Sequence, residues 1–129
     1  MLAVDTNVVV RYVIRDDAAQ AKRAEALINR QDVFVSATVL LETEWVLRRG
    51  YGLAAPALVN ALRSFAGLPH VTLDDPGRIG QALVWMEHGL DFADALHLAG
   101  AQDCEALVTF DKALISKATR PGEVEVRPP

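Results

Sequence analysis

Cysteine is nearly absent: Cys104 is the single one in 129 residues. No intramolecular disulfide can form, and no cysteine-based zinc site can be assembled. Its neighbours Gln102, Asp103 and Glu105 supply no cation to stabilise a thiolate, so Cys104 reads as an inert thiol at a helix end. Aromatic residues are scarce at 6%, which leaves the core to Ala, Val and Leu. Positive charge is also short, with 13 Lys and Arg against 17 Asp and Glu and a net charge of −4. A protein that holds nucleic acid by electrostatics alone is normally basic. RNA stays open as a substrate if the acidic excess is gathered around a metal; the balance predicts weak non-specific affinity or a basic partner. No apolar run approaches the ~20 residues of a membrane span. The start, Met1 to Asp5, has no basic stretch before an apolar run, so no signal peptide is expected. Repeats, low-complexity tracts and linkers are missing too. These absences predict a soluble, cytoplasmic protein with no membrane partner. With 51% hydrophobic residues, near the modal domain length, residues 1–129 are expected to form a single domain.

What is present is an α/β alternation. Leu2–Val4, Val33–Val35, Val71–Leu73 and Ala106–Val108 are short continuous apolar runs, and Val124–Val126 is a weaker, alternating one. Continuous runs suit a parallel sheet buried on both faces. Helices are predicted over Val8–Ile14 with Thr6 or Asn7 as cap, over Ala18–Asn29, and over Ala37–Arg49 between Ser36 and Gly50. Further helices are predicted over Ala54–Ala66, from Asp75-Pro76 onward, over Phe92–Gln102 behind Asp91, and over Lys112–Ala118. A turn is expected at Arg120-Pro121-Gly122. Strands alternating with helices predict a three-layer sandwich around a central, mostly parallel, five-stranded sheet.

Four acids stand at the punctuation points of this pattern: Asp5, Glu42, Asp94 and Asp111. In open α/β sheets, sites form beyond the carboxyl ends of strands, where Asp5 and Asp111 fall. They would face each other if the first strand and Ala106–Val108 were neighbours. Glu42 borders the apolar face of its helix and lacks the i+4 cation that Glu44 has in Arg48, so Glu44 reads as a solvated partner of Arg48. Asp94 lies in a small, apolar stretch with no Lys or Arg within four residues. Asp91 reads first as the helix cap, though it stands close enough to Asp94 to join a site. Converging carboxylates repel unless a cation joins them. The set therefore points to Mg²⁺, with Mn²⁺ possible, and to phosphate chemistry. Thr6 and Thr109 could support the metal or a phosphate. His70, His88 and His97 form no metal-ligand pair; His97, three residues after Asp94, is the one that could support the site. Asp16, Asp17, Asp32, Asp74, Asp75 and Asp103 read as turn, cap or surface acids. Arg11 with Arg15, and Arg48 with Arg49, are the basic pairs that could grip a phosphate backbone. Trp45 reads as core or subunit interface in preference to a base-stacking platform.

LAVDTNVVVRYV, VLLETEWVLRRGYG, GLDFADALHLAGA and LVTFDK, in that order and spacing, resemble the PIN-domain ribonucleases, most closely the VapC-type toxins of toxin–antitoxin pairs. The resemblance covers essentially the whole chain. It implies a PIN-like sandwich, an acidic pocket of Asp5, Glu42, Asp94 and Asp111 holding Mg²⁺ or Mn²⁺, and Thr6 in support. It implies endonucleolytic hydrolysis of RNA to 5′-phosphate and 3′-hydroxyl ends. It also implies a homodimer and a VapB-like antitoxin that wraps the toxin in a hetero-oligomer and often places an Arg in the acidic cluster.

Rival readings compete with this one. A haloacid-dehalogenase-like phosphatase acting on small substrates expects a second Asp two residues after the first, where this chain has Asn7. A phospho-accepting receiver domain expects a Lys at the end of its own strand, whereas Lys112 adjoins Asp111. A non-catalytic module would use the acidic pocket only to dock a basic peptide.

Overall fold

The computed structural model describes residues 1–118 and 124–129. The chain forms two compact units, Met1–Pro76 and Gly77–Pro129. The expected turn at Arg120-Pro121-Gly122 lies outside the described residues.

In the first unit, β1 (Leu2–Ala3) pairs in parallel with β2 (Val33–Val35), and β2 with β3 (Val71–Leu73), in the order β1-β2-β3. Val33 and Val35 are fully buried, as a central strand requires. Around them lie α1 (Thr6–Ile14), α2 (Ala18–Arg30), α3 (Ala37–Arg49) and α4 (Ala55–Ala66). The helices begin where capping chemistry dictates. The Asp17 side chain accepts from the Gln20 N–H at the head of α2, and Ser36 from the Val39 N–H at the head of α3. Pro56 sits in the first turn of α4, where its missing N–H costs nothing. The core joins Val9, Ile28, Leu40, Leu47, Leu58, Leu62 and Phe65.

In the second unit follow α5 (Pro76–Glu87), α6 (Phe92–Gly100), β4 (Ala106–Val108), α7 (Lys112–Lys117) and β5 (Glu125–Arg127). β4 and β5 pair in parallel. The buried side chains here include Ile79, Trp85, Phe92, Leu98 and Leu114.

Three expectations are corrected. Among the described residues the strands pair as a three-stranded sheet and a two-stranded one in place of one five-stranded sheet. Strands of two or three residues carry few ladder bonds, and an apolar triplet records burial without naming its neighbour. For the same reason the first strand and Ala106–Val108 fall in different sheets. Burial on both faces also fails at the ends of the pattern: β1 is exposed throughout and Val108 is 52% exposed. Finally, the buried face of α3, expected from Val39, Leu40, Thr43, Val46 and Leu47, is rotated slightly, to Leu40, Thr43, Glu44 and Leu47. Glu44 is therefore buried, at 2% exposure, and its Oε1 accepts from Arg48 Nε at 2.8 Å. The pairing is as expected; the solvated setting is not. Trp45 points the other way and is 56% exposed, which removes it from the core.

Candidate active site

In the first unit, parallel pairing puts the carboxyl ends of all three strands on one edge. The edge begins α1 after β1 and α3 after β2. Asp74, just past β3, closes it by accepting from the Ala37 N–H at 3.0 Å through Oδ2. Asp5 occupies the turn from β1 into α1 with φ −97° and ψ 179°. It is itself the cap of α1: its Oδ1 accepts from the Asn7 N–H at 3.2 Å. Capping by Thr6 or Asn7 is thus replaced by capping from the candidate ligand, because an extended Asp at the strand end reaches the first free N–H. The second carboxylate oxygen makes no hydrogen bond among the described residues. Thr6 is buried at 6% exposure, and its hydroxyl makes no hydrogen bond among the described residues. Glu42, in the second turn of α3, is exposed and makes neither a hydrogen bond nor an ion pair among them.

In the second unit Asp91 caps α6, accepting from the Ala93 N–H at 3.1 Å. Asp111 caps α7 with one oxygen, which accepts from Ala113 and Leu114 N–H at 2.9 and 3.1 Å. Thr109 fixes the approach: its Oγ1 accepts from the Asp111 N–H at 3.0 Å. Asp94 lies inside the first turn of α6 and makes no hydrogen bond among the described residues. Burial holds its carboxyl above the ordinary value, and the negative charges of Asp91 and then Asp111 push it the same way; His97 and Lys117 pull against them. The structure therefore brings the charges of Asp91, Asp94 and Asp111 into one field. Lys117 is the participant that sequence reasoning missed. It reaches the region from α7, donating from Nζ to the Gly89 carbonyl at 3.4 Å, and its long sequence separation from Asp94 leaves no local signal.

Every donor in both units is a carboxylate or hydroxyl oxygen, the set a hard divalent cation prefers. The buried, unbonded hydroxyl of Thr6 and the mutual repulsion around Asp94 fit a cation as well. In neither unit, among the described residues, do three His, Cys, Asp or Glu side chains stand together as a ready-made metal cage. Charge acts over longer distances than ligation, so both observations hold: the acids of the second unit sense each other without being posed as a ligand trio.

The basic pairs are mostly spoken for. Arg11 donates to Gln20, Asp16 and Tyr51 at 2.7, 3.2 and 3.2 Å. Arg15 pairs with Glu25 at 3.0 Å, and Arg48 with Glu44. Arg49 is exposed and unpaired among the described residues. A cavity of about 460 Å³ opens between α1 and α2, lined by Asn7, Val8, Arg11, Gln20, Arg23, Ala24 and Leu27. Among the described residues no helix is long and apolar enough to cross a membrane.

Among curated proteins none matches this chain. Among solved structures, the crystal structure of VapC20 from Mycobacterium tuberculosis, described as a toxin that cleaves the sarcin–ricin loop, is 27% identical. The likeness covers 99% of this chain and 100% of that chain, with a TM-score of 0.43. The family model of the PIN domain matches residues 2–120. That span runs through both units and contains all four acids, Asp5, Glu42, Asp94 and Asp111; the chain belongs to the PIN-domain family.

Proposed function

We propose that this protein is a Mg²⁺- or Mn²⁺-dependent endoribonuclease, acting as one PIN domain over its whole length and as the toxin of a VapBC-type pair. The observation that carries the reading is the family match over a span that retains every acid of the pattern. The four-motif resemblance to VapC-type toxins and the oxygen-only donor sets support it. A homodimer and a VapB-like antitoxin belong to the same proposal.

In this reading Asp5, Glu42, Asp94 and Asp111 hold the metal, with Thr6, Asp91 and Thr109 in support. When bound, the ion supplies Lewis acidity: it acidifies water and offsets negative charge on a phosphodiester. The chain's own residues do the positioning. Asp5 is anchored through one oxygen to the Asn7 N–H, which leaves its other oxygen free for ligation. Asp111 is held by its two backbone donors and by Thr109. One carboxylate acts as general base for the water that attacks phosphorus in line with the leaving 3′ oxygen.

The test is cleavage of total cellular RNA by the purified protein, with Mg²⁺ or Mn²⁺ against EDTA, beside Asp5→Asn. Discrete, metal-dependent cuts are expected. Asp5→Asn, which keeps a capping side chain, should fold and lose roughly a hundredfold or more of the activity. Full activity in the folded variant would end this mechanism. No cleavage by metal-binding, antitoxin-free protein would favour an acidic module that docks a basic peptide.

A further inference from the structure

The acids leave the exposed stripe of α3 beyond Glu42 without a role. Trp45 is 56% exposed, whereas Trp85 is buried to 2%. The Trp45 indole takes part in no ring stack or cation contact among the described residues. Glu42 precedes it by three residues and Arg49 follows it by four. On an α-helix these spacings form one stripe, with neighbouring Cβ atoms about 5–6 Å apart. All three residues are exposed. Of the four arginines suited to gripping phosphate, Arg11, Arg15 and Arg48 are held by ion pairs within the fold; Arg49 is the one left over, and it falls on this stripe.

Tryptophan and arginine are common at subunit interfaces, whereas glutamate is depleted there, and this indole stands one turn from the Glu42 carboxylate as well as from the Arg49 guanidinium. An acid, an aromatic plane and a cation in that order match the parts of a nucleotide strand. The acid belongs to the phosphodiester chemistry, the plane accepts a base face, and the cation meets the next phosphate. Base stacking on an aromatic side chain tolerates any base, because each has a π-face.

We propose that Trp45 is a base-stacking platform for single-stranded RNA, one helical turn from Glu42, with Arg49 holding the adjoining phosphate. This rests on the ribonuclease reading and names how the same site grips its substrate. The test uses the full chain carrying Asp5→Asn, so that RNA is bound without being cut. Affinity is measured by fluorescence anisotropy with a short fluorescein-labelled oligoadenylate and with an abasic strand of equal length. Adding Trp45→Ala should raise Kd for oligoadenylate by about tenfold. Trp45→Phe should restore most of the loss, and the abasic strand should bind alike with or without the indole. Arg49→Gln should weaken binding of both strands. Equal affinity of the Trp45→Ala protein and its parent for oligoadenylate would overturn the proposal. So would equal weakening on both strands accompanied by a shift from dimer to monomer in sedimentation, which would make Trp45 an interface residue. If the parent binds neither strand, the RNA reading itself falls and takes the platform with it.

Discussion

Asp94 is the residue where fold and chemistry pull hardest against each other. Its carboxyl is held above the ordinary value of 3.8 by burial, then by Asp91 and Asp111, so the charged form is disfavoured in the metal-free fold. A carboxyl raised in this way contributes stability below its unfolded value and loses it as pH rises through the folded value. Asp94→Asn should therefore raise the melting temperature of metal-free protein near pH 7, with the gain fading as pH falls toward 3.8. Thermal melts in EDTA across that range check it; a variant less stable than its parent at pH 7 would remove the repulsion argument. The Glu44–Arg48 pair makes a second prediction. Glu44 is 3% exposed and Arg48 is 37% exposed in their side chains, so removing the cation strands a buried carboxylate. Arg48→Met should cost about 2 kcal/mol by urea denaturation, less than for a fully buried pair because the arginine keeps partial contact with solvent. At this scale the sequence was legible for what stands out chemically. Asp94 was marked by the absence of a nearby cation and Glu42 by the absence of an i+4 partner, and both do lack hydrogen bonds among the described residues. Glu44 was misplaced because the hydrophobic wheel of α3 is broad and a small rotation brings an acid at its border inside; for Trp45, exposure removes only the core half of its reading.

Among the elements, caps carry more of the specification than propensity does. Asp5, Asp17, Asp91 and Asp111 each accept from backbone N–H groups at the head of a helix. Asp17 belongs to no candidate site, which makes it a clean control. Asp17→Ala should destabilise the protein by about 1 kcal/mol and leave RNA cleavage per folded molecule unchanged; a loss of cleavage would place α2 in the active surface. Val33–Val35 and Ala106–Val108 were readable to the residue because each is an apolar triplet between polar breaks, and Val71–Leu73 because two apolar residues flank a β-branched threonine between His70 and Asp74. Helix starts were readable from Ser36, Pro76 and Asp91. The cap of α1 was not, since Thr6 and Asn7 are as good on paper as Asp5, and only the extended backbone at Asp5 decides among them. Strand order was not readable either, because pairing partners are chosen by crossover geometry that a triplet does not encode.

For the molecule as a whole, charge sets the terms of binding. The net charge is −4, and Arg23, Arg30 and Arg49 are the arginines without an ion pair among the described residues. Engagement of about three phosphates predicts a slope of log affinity against log salt of roughly −2 for single-stranded RNA; a slope several times steeper would call for a basic partner or a second copy supplying cations. Mg²⁺ should raise the melting temperature in a concentration-dependent way, as any ligand of the native state does, and Asp5→Asn should blunt that rise. The resemblance to PIN domains was legible because the motifs are local, whereas the arrangement of the sheets is not. Asp5, Asp91 and Asp111 are each a helix cap, and under the proposed function each does a second job as a carboxylate for the metal. Substitution by Ala at these positions removes fold and function together and is poorly tolerated. Under the proposed function, substitution by Asn, Ser or Thr would keep the helix while ending the chemistry. A lineage that abandons catalysis but keeps the scaffold should therefore drift toward those three residues at positions 5, 91 and 111, so that a silent relative is told apart by a lost charge on an intact cap.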